Sequence, residues 1–301
     1  MKQEQFDIVH CNTPIGGVMG RLCARRAHVP FVIYQAHGFH FWKGAPLKNW
    51  LCYYPVERML AHFTDRLVTI NEEDYHRATR FRLKKSGQVI KVPGVGVNVA
   101  KFSETKMDEK DRREKLETLG IPQNACIFLS VGELIPRKNF KMLIHAFKKA
   151  NIPNAYLLIC GDGSDKEVLQ NTIDSMEMQS NIKLLGFRSD ILELLHCIDY
   201  FVFPSKQEGL PGALMEAMAA KCPCIASRIR GNTDLLGNDY DYLLSPDDTD
   251  AWANAIKQIL QDKRDLGEYA YQRVKPFDFP QVVGSYKNLY QEAIKARKHI
   301  S

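Results

Sequence analysis

Short apolar runs alternate with stretches of helical spacing almost from one end of the chain to the other. Phe6–His10, Phe31–Ala36, Arg66–Ile70 and Val89–Val92 read as short buried strands, separated by helical patterns over Val18–Ala27, Leu47–Phe63 and Glu72–Phe81. A polar, charge-dense segment, Ser103 to Lys115, interrupts this rhythm and reads as a linker leading into a helix. The pattern then restarts with strands Ile127–Val131, Tyr156–Ile159, Lys183–Leu185, Tyr200–Phe203, Cys224–Ala226 and Tyr242–Leu244. Phe140–Ala150 keeps helical spacing between them, as does Asp190–Cys197 with Asp190 at the N-cap. Alternation of this kind favours parallel α/β sheets. The second half reads as a complete doubly wound domain of about six strands, and the first third holds about four. No internal repeat is present.

A chain of 301 residues has room for two domains of roughly 100–200 residues each. Its 45% hydrophobic and 25% charged residues, without low-complexity tracts, are those of a soluble globular protein. No apolar run approaches the ~18 residues of a spanning helix. The start, MKQEQFDIVHC, lacks the apolar core of a signal peptide. The eight cysteines have no framework spacing, and Cys126, Cys160, Cys197 and Cys224 lie in or beside apolar segments. Cys222 and Cys224 flank Pro223, and we read them as buried thiols rather than a metal or redox pair. These features predict a cytoplasmic protein. A net charge of +6 suits acidic partners, nucleotide phosphates or an anionic membrane face, and is too weak to argue for nucleic acid.

Ligands of open parallel sheets bind at the carboxyl ends of the strands. The first strand of the second half runs into Gly132-Glu133, with Arg137-Lys138 beyond, a cation pair able to grip a diphosphate or simply solvated. The next ends in Gly161-Asp162-Gly163, a turn that either admits a ligand close to backbone or is only tight. Gly186-Phe187-Arg188 follows, where Arg188 or its backbone could meet a base. The fourth end carries Glu208, then Gly209-Leu210-Pro211-Gly212, then Glu216 near the start of a helix. A fresh helix N-terminus is an anion site, and a carboxylate on its first turns is suited to sugar or ribose hydroxyls beside a phosphate. The constellation points to a nucleotide-sugar site.

Elsewhere the residues leave alternatives open. His10 follows a strand and reads first as a packed histidine. His37 and His40 lie in an aromatic, glycine-containing turn where a cleft role competes with packing. The stretch Phe39, Phe41, Trp42, Lys43, Lys48, Trp50, Tyr53 and Tyr54 suits a membrane or a lipid-linked acceptor. Leu47, Trp50, Leu51 and Tyr54, with Val56, Met59, Leu60 and Phe63, also keep the spacing of a core-facing helix. The basic clusters Arg21–Arg26 and Arg80–Lys85 read as solvated faces or membrane contacts.

The second half resembles the retaining glycosyltransferases of the GT-B fold, group 1, family 4. The residues that carry the likeness are Val131-Gly132-Glu133-Leu134 with Arg137-Lys138-Asn139, Gly161-Asp162-Gly163, Gly186-Phe187-Arg188-Ser189-Asp190, Pro204-Ser205, the Glu208–Glu216 pair and Cys224-Ile225-Ala226-Ser227. In the first third, His37-Gly38-Phe39-His40-Phe41, Lys43-Gly44-Ala45-Pro46 and Tyr54-Pro55-Val56-Glu57-Arg58 resemble bacterial members that build capsular and exopolysaccharide repeat units.

The resemblance implies an α/β GT-B fold of two Rossmann-like parallel-sheet domains. Residues 1–102 would form an acceptor-side domain, 103–280 the nucleotide-sugar domain, and 281–301 a helix packing back on the first. It implies that Arg137 and Lys138 neutralise the donor diphosphate, that Glu216 holds the ribose, that Glu208 lies near the transferred sugar, and that His37 sits near donor and acceptor. Backbone around Gly209, Leu210 and Gly212 would face the phosphates, with Gly132, Gly161, Gly163 and Arg188 completing the nucleotide site. The donor would be a nucleotide-sugar, UDP-sugar favoured, used without a metal. The acceptor would be a lipid-linked oligosaccharide at the cytoplasmic face of the inner membrane. Two departures stand out. The chain begins at what resembles the family's fourth strand, so the usual glycine-rich loop is missing and a fragment or an impaired enzyme is expected. Lys221-Cys222 also stands where relatives usually carry a glycine. A non-catalytic nucleotide-sugar-binding subunit and a nucleotide-sugar epimerase are the alternatives.

Overall fold

The computed structural model describes residues 1, 3–105 and 107–298, with side chains as far as residue 295 in the last helix. The chain divides into two compact units, Met1–Gly96 together with the segment from Phe279, and Val97–Asp278. Each contains one parallel sheet.

The first unit has β1 (Ile8–Asn12), β2 (Phe31–Gln35), β3 (Arg66–Thr69) and β4 (Gln88–Lys91), hydrogen-bonded in that order and all parallel. β1 lies further along the chain than its apolar pattern predicts. Pairing with β2 starts at Ile8 opposite Phe31 and runs to Asn12, while Phe6 is left exposed. Helix Pro14–Arg26 packs close to this sheet through its glycines. A Cβ on Gly17 would lie 2.2 Å from the Tyr34 ring, and one on Gly20 would lie 2.7 Å from Cys11 Cβ. The first basic cluster is correspondingly not all solvated. Arg21 is fully buried, stacks 3.8 Å from the Tyr34 ring centroid, and pairs with Glu57 at 2.8 Å.

Helix Leu47–Ala61 corrects the expected packing face. Trp50 and Tyr54 turn inward against buried Phe39, Phe41 and Phe81, whereas Leu47 is 73% and Leu51 68% exposed, and Val56 and Met59 are exposed too. The apolar residues of this helix thus form two faces, because the aromatic turn before it already fills the core side. Helix Phe279–Lys298 returns to this unit. Its Tyr286 donates to Gln35 Oε1 at 2.7 Å, Tyr290 meets His10 Nδ1 at 2.7 Å, and Glu292 lies 3.5 Å from Arg66.

The second unit has β5 (Cys126–Val131), β6 (Ala155–Cys160), β7 (Ile182–Gly186), β8 (Tyr200–Phe203), β9 (Cys224–Ser227) and β10 (Leu243–Leu244), in the order β10-β9-β8-β5-β6-β7 and all parallel. This is a doubly wound sheet whose order reverses beside β5 and β8, where such folds form their ligand crevice. The charge-dense segment, expected as a linker leading into a helix, begins at the end of one helix and runs into a second. Helices Val99–Glu104 and Glu109–Thr118 belong to this unit, and Asp108 caps the second by accepting from the Asp111 amide at 2.7 Å. Asp190 stands at the N-cap of helix Ile191–Cys197 but does not cap it with its side chain. Its carboxylate is taken by Arg188 and Lys115 instead. The departure at Lys221 has a physical reading: its φ is 59°, the left-handed conformation that closes a helix and that glycine adopts without steric cost. All eight cysteines are free, and burial pushes the Cys222 thiol up to about 12.

Candidate functional site

The carboxyl ends of β5 and β8 are neighbours in the second sheet, and the loops that follow them interlock. After β5 the chain makes a short 3-10 turn over Pro136–Lys138 and closes it with Asn139 at φ 62°, a left-handed conformation that asparagine tolerates. The Asn139 amide donates to the carbonyls of Pro204 and Pro246, tying this turn to the loops after β8 and β10. Lys138 is thereby held with Nζ 2.6 Å from Glu208 Oε1, and Ser205 Oγ donates to the same oxygen at 2.6 Å. Arg137 stands further out, 3.5 Å from Glu208 and with its guanidinium more open to solvent. Lys138 and Glu208 are mostly buried while Arg137 is 44% exposed. Glu208 is therefore a hub that fixes two cations. Its own carbonyl is held by Arg230 Nε at 3.0 Å.

From Glu208 the chain passes Gly209 and buried Leu210 to Pro211, the N-cap of helix Gly212–Ala219. No side chain caps this helix, and a Cβ at Gly212 would meet nothing within 4 Å. Open space in front of uncapped backbone N–H groups is the geometry that receives an anion. Gly231 holds the preceding loop in place: its φ is 81°, and a Cβ there would lie 2.6 Å from the Gly209 carbonyl oxygen. Glu216 follows one turn into the helix. It is half-buried, and among the described residues no hydrogen bond or ion pair engages its carboxylate. Burial raises its pKa, with Lys101 opposing the shift. A partly desolvated carboxylate without a partner is unfavourable unless a ligand supplies donors.

The remaining strand ends are less exposed to a ligand than their sequence suggests. Gly161 and Gly163 are required by protein packing. A Cβ at Gly161 would lie 1.8 Å from the Gly132 carbonyl oxygen, and one at Gly163 would lie 2.5 Å from that of Leu134. The loop after β6 thus rests on the loop after β5, and it helps to fix Gly132. Arg188 is clasped by Asp190 through two hydrogen bonds, and Lys115 binds the same carboxylate at 2.8 Å. These partners hold the Asp190 carboxyl well below the usual range. Beside Arg188, Phe187 is 81% exposed.

His37 belongs to the first unit, at the carboxyl end of β2. Its turn is anchored by buried Phe39, whose backbone N–H donates to Asp74 at 3.0 Å. His37 Nε2 lies 3.1 Å from Asn12 Oδ1 at the end of β1, and burial lowers its pKa. His10 is lowered too, chiefly by burial. His40 is part of the packing, its ring tilted against that of Tyr53 with centroids 4.7 Å apart.

The structure brings Arg137, Lys138, Glu208, Gly209, Leu210, Gly212 and Glu216 onto adjoining loops and one helix of the second unit. Sequence reasoning assigned no role to Ser205, Asn139, Arg230, Gly231, Lys101 or Asn12. Pro204-Ser205 and Asn139 stood within recognised motifs, so their signal was present. Arg230 and Lys101 act from loops and helices with no local pattern to mark them.

The sequence model of glycosyl transferases group 1 matches residues 111–273, and that of glycosyl transferase 4-like matches residues 1–71. A Bacillus subtilis (strain 168) protein named as glycosyltransferase EpsD is 38% identical over 295 residues, covering 95% of this chain and 76% of the relative. The UDP-Gal:alpha-D-GlcNAc-diphosphoundecaprenol alpha-1,3-galactosyltransferase of Escherichia coli is 34% identical over 269 residues, 87% of this chain and 68% of that protein. The crystal structure of Anabaena Alr3699/HepE in complex with UDP aligns with a TM-score of 0.79 at 19% identity, over 95% of this chain and 79% of the other, and shares its fold. The chain belongs to the group 1 glycosyltransferases and is a glycosyltransferase of the GT-B fold.

Proposed function

We propose that this enzyme transfers a sugar, with retention, from a UDP-sugar to a lipid-linked polysaccharide intermediate. The observation that carries the reading is the juxtaposition at the end of β8: two cations gathered on Glu208, an open helix start at Gly212, and an unpartnered, half-buried Glu216. The diphosphate would lie against Arg137, Lys138 and the first N–H groups of the helix, and the ribose hydroxyls would donate to Glu216. Because Asp190 occupies the Arg188 guanidinium, the backbone of that loop, with Phe187 beside it, is what remains to meet the base.

In the reaction, the bond between the anomeric carbon and the leaving diphosphate oxygen breaks. An acceptor hydroxyl forms the new bond on the same face, and its proton passes to the leaving phosphate oxygen. Negative charge grows on the diphosphate, where Arg137, Lys138 and the helix start stabilise it without a divalent cation. Glu208 is assigned no nucleophilic role; with Lys138 and Ser205 on its Oε1, it orients the cations that meet the diphosphate. The relatives support the substrates: one is named for UDP-Gal and a diphosphoundecaprenol acceptor, and one solved neighbour holds UDP and glucose. No helix among the described residues is long and apolar enough to cross a membrane. Exposed Leu47, Leu51 and Met59 share helix Leu47–Ala61 with Lys48 and Arg58, a combination suited to peripheral contact with an anionic membrane at its cytoplasmic face.

The test is transfer from α-configured UDP-sugars to an undecaprenol-diphosphate-linked sugar in the presence of EDTA, with the product linkage read by NMR. An α-linked product formed at an undiminished rate is expected. A β-linked product, or activity abolished by EDTA and restored by magnesium, would overturn the retaining, metal-independent reading.

A further inference from the structure

At the carboxyl end of the first sheet the chain leaves β1 through Asn12 and enters helix Pro14–Arg26 at Thr13, whose φ and ψ are 65° and 159°. A β-branched residue in this nearly glycine-only region costs about 1–3 kcal/mol, and such strain persists where the surrounding structure has a use for it. The residue it positions is Asn12, whose Oδ1 lies 3.1 Å from His37 Nε2. An amide oxygen only accepts, so the ring nitrogen facing it must carry the hydrogen. A neutral imidazole has a single N–H, and its other nitrogen is then an acceptor.

We propose that Asn12 is a positioning residue that fixes His37 as the Nε2–H tautomer, leaving the Nδ1 lone pair to accept a hydrogen bond from a sugar hydroxyl. The role assigned to the hydroxyl rests on the sugar-transfer reading above; the tautomer does not. Desolvation lowers the pKa of the ring below its ordinary value, which favours the neutral form at pH 7. The titratable side chains around this corner are His10 on β1 and Tyr286 and Tyr290 on helix Phe279–Lys298. No ion pair involves His37 among the described residues, and the titratable group coupled to its charge is His10.

The first experiment needs no substrate. Long-range proton–nitrogen correlation spectra of the full chain, labelled with 15N-histidine, are expected to show His37 as Nε2–H and to show a mixture of tautomers in Asn12→Ala. A wild-type Nδ1–H tautomer, or the same tautomer with and without Asn12, would overturn the proposal. Asn12→Asp supplies a second readout: a carboxylate beside His37 raises its pKa, so the acid limb of the transfer rate should move to higher pH. Asn12→Ala should lower kcat about fivefold to tenfold, the worth of one hydrogen bond, with UDP affinity unchanged. A purely structural role would instead depress both variants equally at every pH, and that result also counts against positioning. The predicted tautomer in a chain that transfers no sugar would sink the functional reading and leave the tautomer assignment standing.

Discussion

At the end of the second sheet two cations converge on one carboxylate beside an uncapped helix. At the ends of β1 and β2 in the first sheet the polar groups are amides, phenols and imidazoles, Asn12, Gln35, Tyr286, Tyr290, His10 and His37, and the charged pair Lys91–Glu72 lies at the far strand, β4. Both positions are where parallel sheets bind ligands, yet they suit different chemistry. Fixed positive charge and free N–H groups favour a diphosphate, whose charge grows during transfer. Neutral donors and acceptors favour hydroxyls, which need direction more than charge. The difference also shows in how each end is built. The second is locked by backbone packed on backbone, with Gly161 on Gly132, Gly163 on Leu134 and Gly231 on Gly209. The first is held by side chains reaching over from the C-terminal helix.

The contrast breaks most sharply at Lys138. Replacing it with alanine removes the buried cation, leaves Glu208 without its closest partner, and should cost roughly 2–4 kcal/mol of transition-state stabilisation. A loss in kcat/KM of that size, measured on a folded variant, is the expected result. A smaller effect follows from Glu216. Its native pKa is raised by burial, so the folded state keeps the proton to higher pH than the unfolded chain does. The stability this group contributes is therefore present at low pH and lost as pH rises through the native pKa. Glu216→Gln should consequently weaken UDP binding while leaving the thermal midpoint at pH 7 unchanged or higher, and thermal melts beside calorimetry would show the two effects together.

The smallest effect belongs to the first sheet. His10 is lowered from 6.5, mainly by burial. The unfolded chain takes up that proton first, so the stability from this group is complete above 6.5 and falls away as pH drops through the native value. His10→Asn should flatten the acid side of the stability profile between about pH 5 and 7. An unchanged profile would show that the imidazoles at this end are not held neutral.

Much of this architecture could be read along the chain. The strands of the second unit announce themselves as apolar runs, and the cation pair, the two glutamates and the glycine turns all stand at strand ends. What could not be read was partnership. Nothing local distinguishes Glu208, held by Lys138 and Ser205, from Glu216, eight positions on and unpartnered. Arg21 looks like its exposed neighbours Arg25 and Arg26, and only the distant Glu57 and Tyr34 explain its burial. Asp190 has the sequence of a cap, but a charge-assisted pair with Arg188 outcompetes the weaker bond to backbone. The two-faced helix Leu47–Ala61 misleads for a related reason: its apolar spacing is real, but the aromatic turn before it had already filled one side.

The most direct measurement is calorimetric titration of UDP into the full chain, the Lys138→Ala variant and the Asn12→Ala variant. The division of labour between the two sheets predicts binding to the unaltered chain, its loss in Lys138→Ala, and wild-type affinity in Asn12→Ala. Absence of UDP binding to the unaltered chain, or equal loss in both variants, would contradict it.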